Sequence, residues 1–100
     1  MKTTITTTEN QVIAKFTGRL DTAAAVTVAE EVKPLFEVIG KEIILDCSEL
    51  EYISSSGLRI FLSIRKEAAA HSSKVIVRSI NVDIRQVFVM TGFISLFEIQ

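Results

Sequence analysis

The stretch Asp46-Cys47-Ser48-Glu49-Leu50-Glu51-Tyr52-Ile53-Ser54-Ser55-Ser56-Gly57-Leu58 joins an apolar run to a helix-like run through three consecutive serines and a glycine. Hydroxyls at such a turn can meet the unpaired N–H groups of a helix start, so the turn can cap a helix or accept a phosphate. A phosphoryl group adds roughly two negative charges and three strong acceptor oxygens. One modified serine here would reset how an otherwise neutral surface meets a partner. The stretch suggests a switch before it suggests an enzyme.

Immediately upstream, Glu42-Ile43-Ile44-Leu45-Asp46 is short, β-branched and flanked by polar residues, as expected of a strand covered on both faces. Downstream, Leu58, Phe61, Leu62, Ile64, Ala68 and Ala69 form an apolar face opposite Arg59, Arg65, Lys66 and Glu67, which predicts a helix ending near His71-Ser72. Further out, Thr3 to Thr17 is Thr-rich and β-branched around a Glu9-Asn10 turn, which reads as a β-hairpin broken at Gly18. Asp21 or Thr22 then caps a helix whose apolar face is Ala25, Val28, Val32, Leu35, Phe36 and Ile39, with Pro34 kinking it or ending it around Lys33. Val75-Ile76-Val77 within Lys74 to Arg78 predicts another buried strand. Val82, Ile84, Val87, Phe88 and Met90 predict a third helix stopped by Thr91-Gly92, and Ile94 to Ile99 a last strand.

Strands alternating with helices after an opening hairpin give an α/β fold. The expectation is a mixed sheet of about five strands with three to four helices packed against it, parallel neighbours being linked by right-handed crossovers. One hundred residues, 48% of them hydrophobic, fit a single domain over residues 1–100. All the hydrophobic segments can be assigned to its core, so nothing in the sequence establishes an exposed apolar patch.

Eleven Lys and Arg against twelve Asp and Glu give a formal charge of -1, without the basic excess that binding nucleic acid or an anionic membrane surface requires. Apolar stretches are broken by charges before the ~20 residues of a membrane span. Cys47 is the only cysteine and no charged-then-apolar leader opens the chain, a pattern that favours a reducing cytoplasm.

Nucleophilic catalysis by Ser54, Ser55 or Ser56 would need a base within hydrogen-bond reach. The single histidine, His71, falls about 20 Å away at the far end of roughly fifteen helical residues, and no Gly-x-Ser-x-Gly elbow is present. No Walker lysine or Gly-x-Gly-x-x-Gly accompanies the serine turn, so nucleotide binding is not indicated either. One hydroxyl suffices to cap a helix, whereas three in a row leave at least one without that duty. Asp46 reads as a structural hydrogen-bonding carboxylate and Cys47 as a small buried hydrophobe. No metal site or cofactor site is expected.

Ile44-Leu45-Asp46 through Tyr52-Ile53-Ser54-Ser55-Ser56-Gly57-Leu58 resembles the signature of STAS domains, the anti-sigma factor antagonist family. Phe16-Thr17-Gly18-Arg19-Leu20-Asp21 resembles the family's Gly-x-Leu-Asp segment before its first helix, and Val87-Phe88-Val89-Met90-Thr91-Gly92-Phe93 its helix-ending segment near the C-terminus. The resemblance covers essentially the whole chain in order.

What the resemblance implies is a non-enzymatic bacterial regulator that binds an anti-sigma factor of the histidine-kinase-like ATPase type and so releases a sigma factor for transcription. In the family that partner is also a serine kinase, and a PP2C-type phosphatase reverses the modification. The phosphorylated serine maps onto Ser55, with Ser54 and Ser56 as alternatives. The implied partner-binding residues are Asp21, Ser54, Ser55, Ser56, Gly57 and Leu58. Many phosphorylated members carry Asp directly before the acceptor, where this chain has Ser54. A different implied role is that of an unphosphorylated STAS subunit or scaffold in a larger complex, such as a lipid-transport or stress-sensing assembly.

Overall fold

A computed structural model describes residues 1–100. The opening hairpin is β1 (Lys2–Thr7) and β2 (Gln11–Leu20), paired antiparallel. Helix α1 (Thr22–Glu31) and a 3-10 turn (Lys33–Glu37) lead to β3 (Glu42–Ile53), which runs parallel to β2. Then follow α2 (Ser55–Ala70), β4 (Lys74–Arg78), α3 (Val82–Thr91), a second 3-10 turn (Phe93–Ser95) and β5 (Glu98–Ile99). The strands lie in chain order, with every pair after the first parallel.

Alternation along the strands selects which side chains meet the helices. Val12, Ala14 and Phe16 of β2, Ile43, Leu45 and Cys47 of β3, and Val75 and Val77 of β4 share one core with Val28 of α1, Phe61 and Ile64 of α2, and Ile84 and Phe88 of α3. Aromatic rings link these layers: Phe16 and Phe61 have centroids 5.3 Å apart, and Phe61 and Phe88 6.4 Å in an edge-on arrangement. Ile44 and Ile76, neighbours in register, are buried outside this core, on the opposite face of the sheet. The helices therefore cover one face of β3, where the sequence predicts cover on both. The residues two steps along from this isoleucine pair are charged, and Lys74–Glu98 and Asp46–Arg78 ion pairs flank it.

Several boundaries differ from those the sequence predicts. β3 continues seven residues past Asp46, because its ladder with β2 persists after its ladder with β4 stops at Asp46 and Arg78. Asp46 is thus in mid-strand, not at a strand end. Gly18 does not end β2; it lies in the strand at φ +105°, next to a register shift that a side chain would disfavour. Pro34 does stop the first helix, which turns into 3-10 geometry and leaves Ile39 exposed. Leu62 and Ala69 of α2 face solvent, while Ile60 is buried. The last strand shrinks to two residues because Phe93–Ser95 forms a 3-10 turn.

Candidate functional site

The parallel strands β2, β3 and β4 all deliver the chain to one edge of the sheet, where each is followed by a side-chain-capped helix start. Asp21 Oδ1 accepts from the Ala24 N–H at 2.8 Å, Ser54 Oγ from the Gly57 N–H at 3.2 Å, and Asn81 Oδ1 from the Ile84 N–H at 2.8 Å. Cross-links hold the three starts together. The Ser54 N–H donates to the Leu20 carbonyl at 2.8 Å, and Asn81 Nδ2 donates to the Leu50 carbonyl at 3.2 Å.

The three serines have different environments along this edge. Ser54 is 8% exposed and its hydroxyl is committed to the cap. Ser55, the first residue of α2, is exposed and its hydroxyl is uncommitted. Ser56 is half-buried. With the Gly57 N–H taken by Ser54 Oγ and the Leu58 N–H by the Ser54 carbonyl, the N–H groups of Ser55 and Ser56 remain without an intrahelical acceptor. An anion on Ser55 would sit where the helix dipole favours it.

Gly57 and Leu58 are both buried, beneath the surface instead of on it. A Cβ on Gly57 would lie 2.7 Å from Leu20 Cγ and 2.9 Å from Ile53 Cγ1, so glycine is what allows α2 to start directly on the ends of β2 and β3. Overpacking a tight site costs typically 1–3 kcal/mol, and the better helix propensity of alanine returns at most about 1 kcal/mol. Gly57→Ala is therefore expected to destabilise the protein by about 1–2 kcal/mol, read from the urea midpoint, because the Leu20 and Ile53 side chains it would press on are both buried.

Sequence reasoning missed Asn81, Arg19 and Tyr52 at this edge. Asn81 directly precedes the apolar spacing of α3, a cap signal that was legible. Arg19 and Tyr52 are neighbours in register only because β2 and β3 extend so far; the Arg19 guanidinium lies 4.4 Å over the Tyr52 ring. With Glu51 and Asp83 they border a cavity of about 180 Å³. A larger, shallow apolar hollow of about 310 Å³ lies on α3, where Val82, Val89 and Met90 are exposed. The apolar spacing that predicts this helix includes Val82 and Met90, and their exposure corrects the assignment of its hydrophobic residues to the core.

Asp46 has a structural environment. Its Oδ1 accepts from the Ser48 N–H at 3.0 Å and its Oδ2 faces Arg78 Nη2 at 3.3 Å. Burial pushes its carboxyl upward, but the hydrogen bonds from Ser48 and the Arg78 charge outweigh this and hold it below its ordinary value. A folded-state value below the unfolded one gives stability that is complete above about pH 4 and is lost as pH falls through the folded value. Wild type is expected to exceed Asp46→Asn by roughly 0.2–1 kcal/mol at neutral pH. Urea titrations from neutral to strongly acid pH should show that difference closing.

Burial pushes the Cys47 thiol up to about 12, which keeps it protonated and unreactive at neutral pH. His71 caps the opposite end of α2, with Nδ1 2.9 Å from the Glu67 carbonyl. No imidazole stands beside the serines.

A family model described as STAS domain matches residues 2–100. BtrV of Bordetella bronchiseptica, assigned as an anti-sigma factor antagonist, is 28% identical over 99 residues, spanning 99% of this chain and 85% of the relative. Among solved structures, an assigned anti-sigma factor antagonist from Thermotoga maritima superposes with a TM-score of 0.87 at 21% identity, covering 97% of this chain and 84% of the other. The anti-sigma factor antagonist SpoIIAA in its unphosphorylated form gives 0.75 at 19% identity, covering 99% and 87%. Bacillus SpoIIAA in its phosphorylated form gives 0.74 at 20% identity, covering 99% and 91%.

Proposed function

Because the chain belongs to the STAS domain family, we propose that it is an anti-sigma factor antagonist switched by phosphorylation of Ser55. In this reading the unphosphorylated protein docks a serine-kinase anti-sigma factor in a bacterial cytoplasm and so frees a sigma factor. The observation that carries the reading is the exposed, uncommitted Ser55 hydroxyl at the start of α2, between a buried capping serine and a half-buried one. The bound kinase transfers the γ-phosphoryl of ATP to Ser55 Oγ. The Oγ–P bond forms as the bond to the ADP oxygen breaks, and the hydroxyl proton leaves to a base on the kinase. A PP2C-type phosphatase hydrolyses the ester and restores docking.

Ser54 suits the acceptor role less well, since modifying its Oγ would remove the cap on Gly57 and place a dianion at a buried position. Serine in place of the Asp that often precedes the acceptor in this family keeps a capping oxygen while removing a charge from the docking surface.

Asp21 and the serine turn form the proposed contact surface, with Gly57 and Leu58 acting from beneath to position it. Asn at position 21 would retain the capping oxygen and lose the charge. Asp21→Asn is expected to weaken docking about tenfold while shifting the unfolding midpoint by less than about 0.5 kcal/mol equivalent, measured by titration calorimetry beside urea unfolding.

Affinity capture of the tagged protein from its native cells tests the function. Recovery of an anti-sigma kinase, with more of it on Ser55→Ala than on Ser55→Asp, is the expected result. Recovery of permease and transport-ATPase subunits, equally with both variants, would replace it with a scaffold role.

A further inference from the structure

Arg59 lies four residues after Ser55 on α2, on the same face of the helix and one turn along. It is exposed and takes part in none of the protein's four ion pairs. Its helical neighbours at three and four residues on either side are Ser55, Ser56, Leu62 and Ser63, so no acid on α2 is placed to receive it. Because Cα–Cβ bonds in a helix tilt toward its N-terminus, a long side chain at position 59 extends back over position 55. An anion preceding a cation by four residues is also the more favourable order for such a pair.

We propose that Arg59 is a positioning residue for the phosphorylated state, its guanidinium closing onto the phosphoryl group carried by Ser55. This rests on Ser55 being the modified residue, and it adds a second arm to the switch. Phosphorylation then brings a dianion to the docking surface and also withdraws a free cation from it. A planar guanidinium matches two phosphoryl oxygens at once, which fixes the group in one orientation along the helix instead of leaving it mobile.

Other charged groups at this edge come from the neighbouring elements: Arg19 on β2, Asp21 before α1, Glu51 on β3 and Asp83 on α3. Arg19 is stacked on Tyr52, and Asp21 is engaged with the Ala24 N–H. The acids would raise the second ionisation of a nearby phosphate, but equally with and without Arg59. Comparing wild type with Arg59→Gln therefore isolates the guanidinium.

The experiment installs phosphoserine at position 55 during translation and follows the phosphorus-31 resonance from about pH 4 to about pH 8 in wild type and in Arg59→Gln. The expected result is a second phosphate pKa lower by roughly half a unit when Arg59 is present. Equal values in the two proteins would overturn the clamp. Arg59 is exposed and its side chain makes no hydrogen bond or ion pair, so unchanged urea midpoints are expected for the variant. Installing the modification directly separates the two ideas: a native kinase that ignores Ser55 would defeat the functional reading, whereas the titration alone decides the clamp.

Discussion

Stoichiometric phosphorylation of Ser55 is expected to weaken docking of the anti-sigma kinase by about a thousandfold. The domain itself should tolerate the phosphate, since Ser55 is exposed at the first position of α2 and a helix start favours an anion by roughly 0.3–1 kcal/mol. The cost arises when a partner approaches. A dianion pressed against an apolar or acidic surface must lose water and meet repulsion, and a penalty of about 4 kcal/mol corresponds to three decades in affinity. Ser55→Ala should bind regardless of kinase and ATP. Ser55→Asp should bind poorly, though less poorly than the phosphoprotein, because one carboxylate carries half the charge and fewer acceptor oxygens. Titration calorimetry on the four species, with thermal unfolding as a control, reads both halves of the expectation: affinities that differ widely and midpoints that do not.

The largest loss of stability is expected at Phe61. Its ring is fully buried between Phe16 of β2 and Phe88 of α3, so it joins the sheet to two of the helices. Phe61→Ala removes the transfer energy of the ring and opens a cavity that sheet and helices cannot both close, at a cost of about 3–5 kcal/mol. That is a large share of the 5–15 kcal/mol typical of a small protein. Phe61→Leu, which keeps most of the volume, should cost roughly 1–2 kcal/mol. A substitution at the exposed Val26 should fall within about 0.5 kcal/mol of wild type. Urea unfolding with an unchanged slope would assign the losses to the native state.

The sequence was most informative where local chemistry and burial agree. β4 falls on the residues the pattern marked, because Val75-Ile76-Val77 is bounded by Lys74 and Arg78. Helix α3 stops at Gly92 because glycine readily takes the left-handed conformation that ends it, at φ +81°. Pro34 ended the first helix through its missing N–H. Readings failed where distant strands decide the outcome. The strand expected over Glu42 to Asp46 stopped where polar residues interrupt the apolar run, yet pairing with β2 keeps the chain extended to Ile53. Apolar spacing in α3 could not distinguish Phe88, which meets Phe61, from Met90, which meets solvent.

The site followed the same division. Three serines before a helix announced a cap and a modifiable hydroxyl, but which serine does which is a matter of burial. Ser54 turns inward to hold Gly57 while Ser55 faces solvent. Gly57 was legible as part of a motif, whereas its physical role, the close approach to Leu20 and Ile53, needed the packing of both strand ends. The gathering of Asp21, Ser54 and Asn81 at one sheet edge follows from parallel strand order, which no local pattern states.

Site-resolved phosphopeptide mapping across Glu51 to Arg59 tests the central claim most directly, on protein isolated from its native cells in several growth states with phosphatases inhibited. The account predicts phosphate on Ser55 whose occupancy changes with growth state. Phosphate confined to Ser54 or Ser56, or absent in every state, would contradict it.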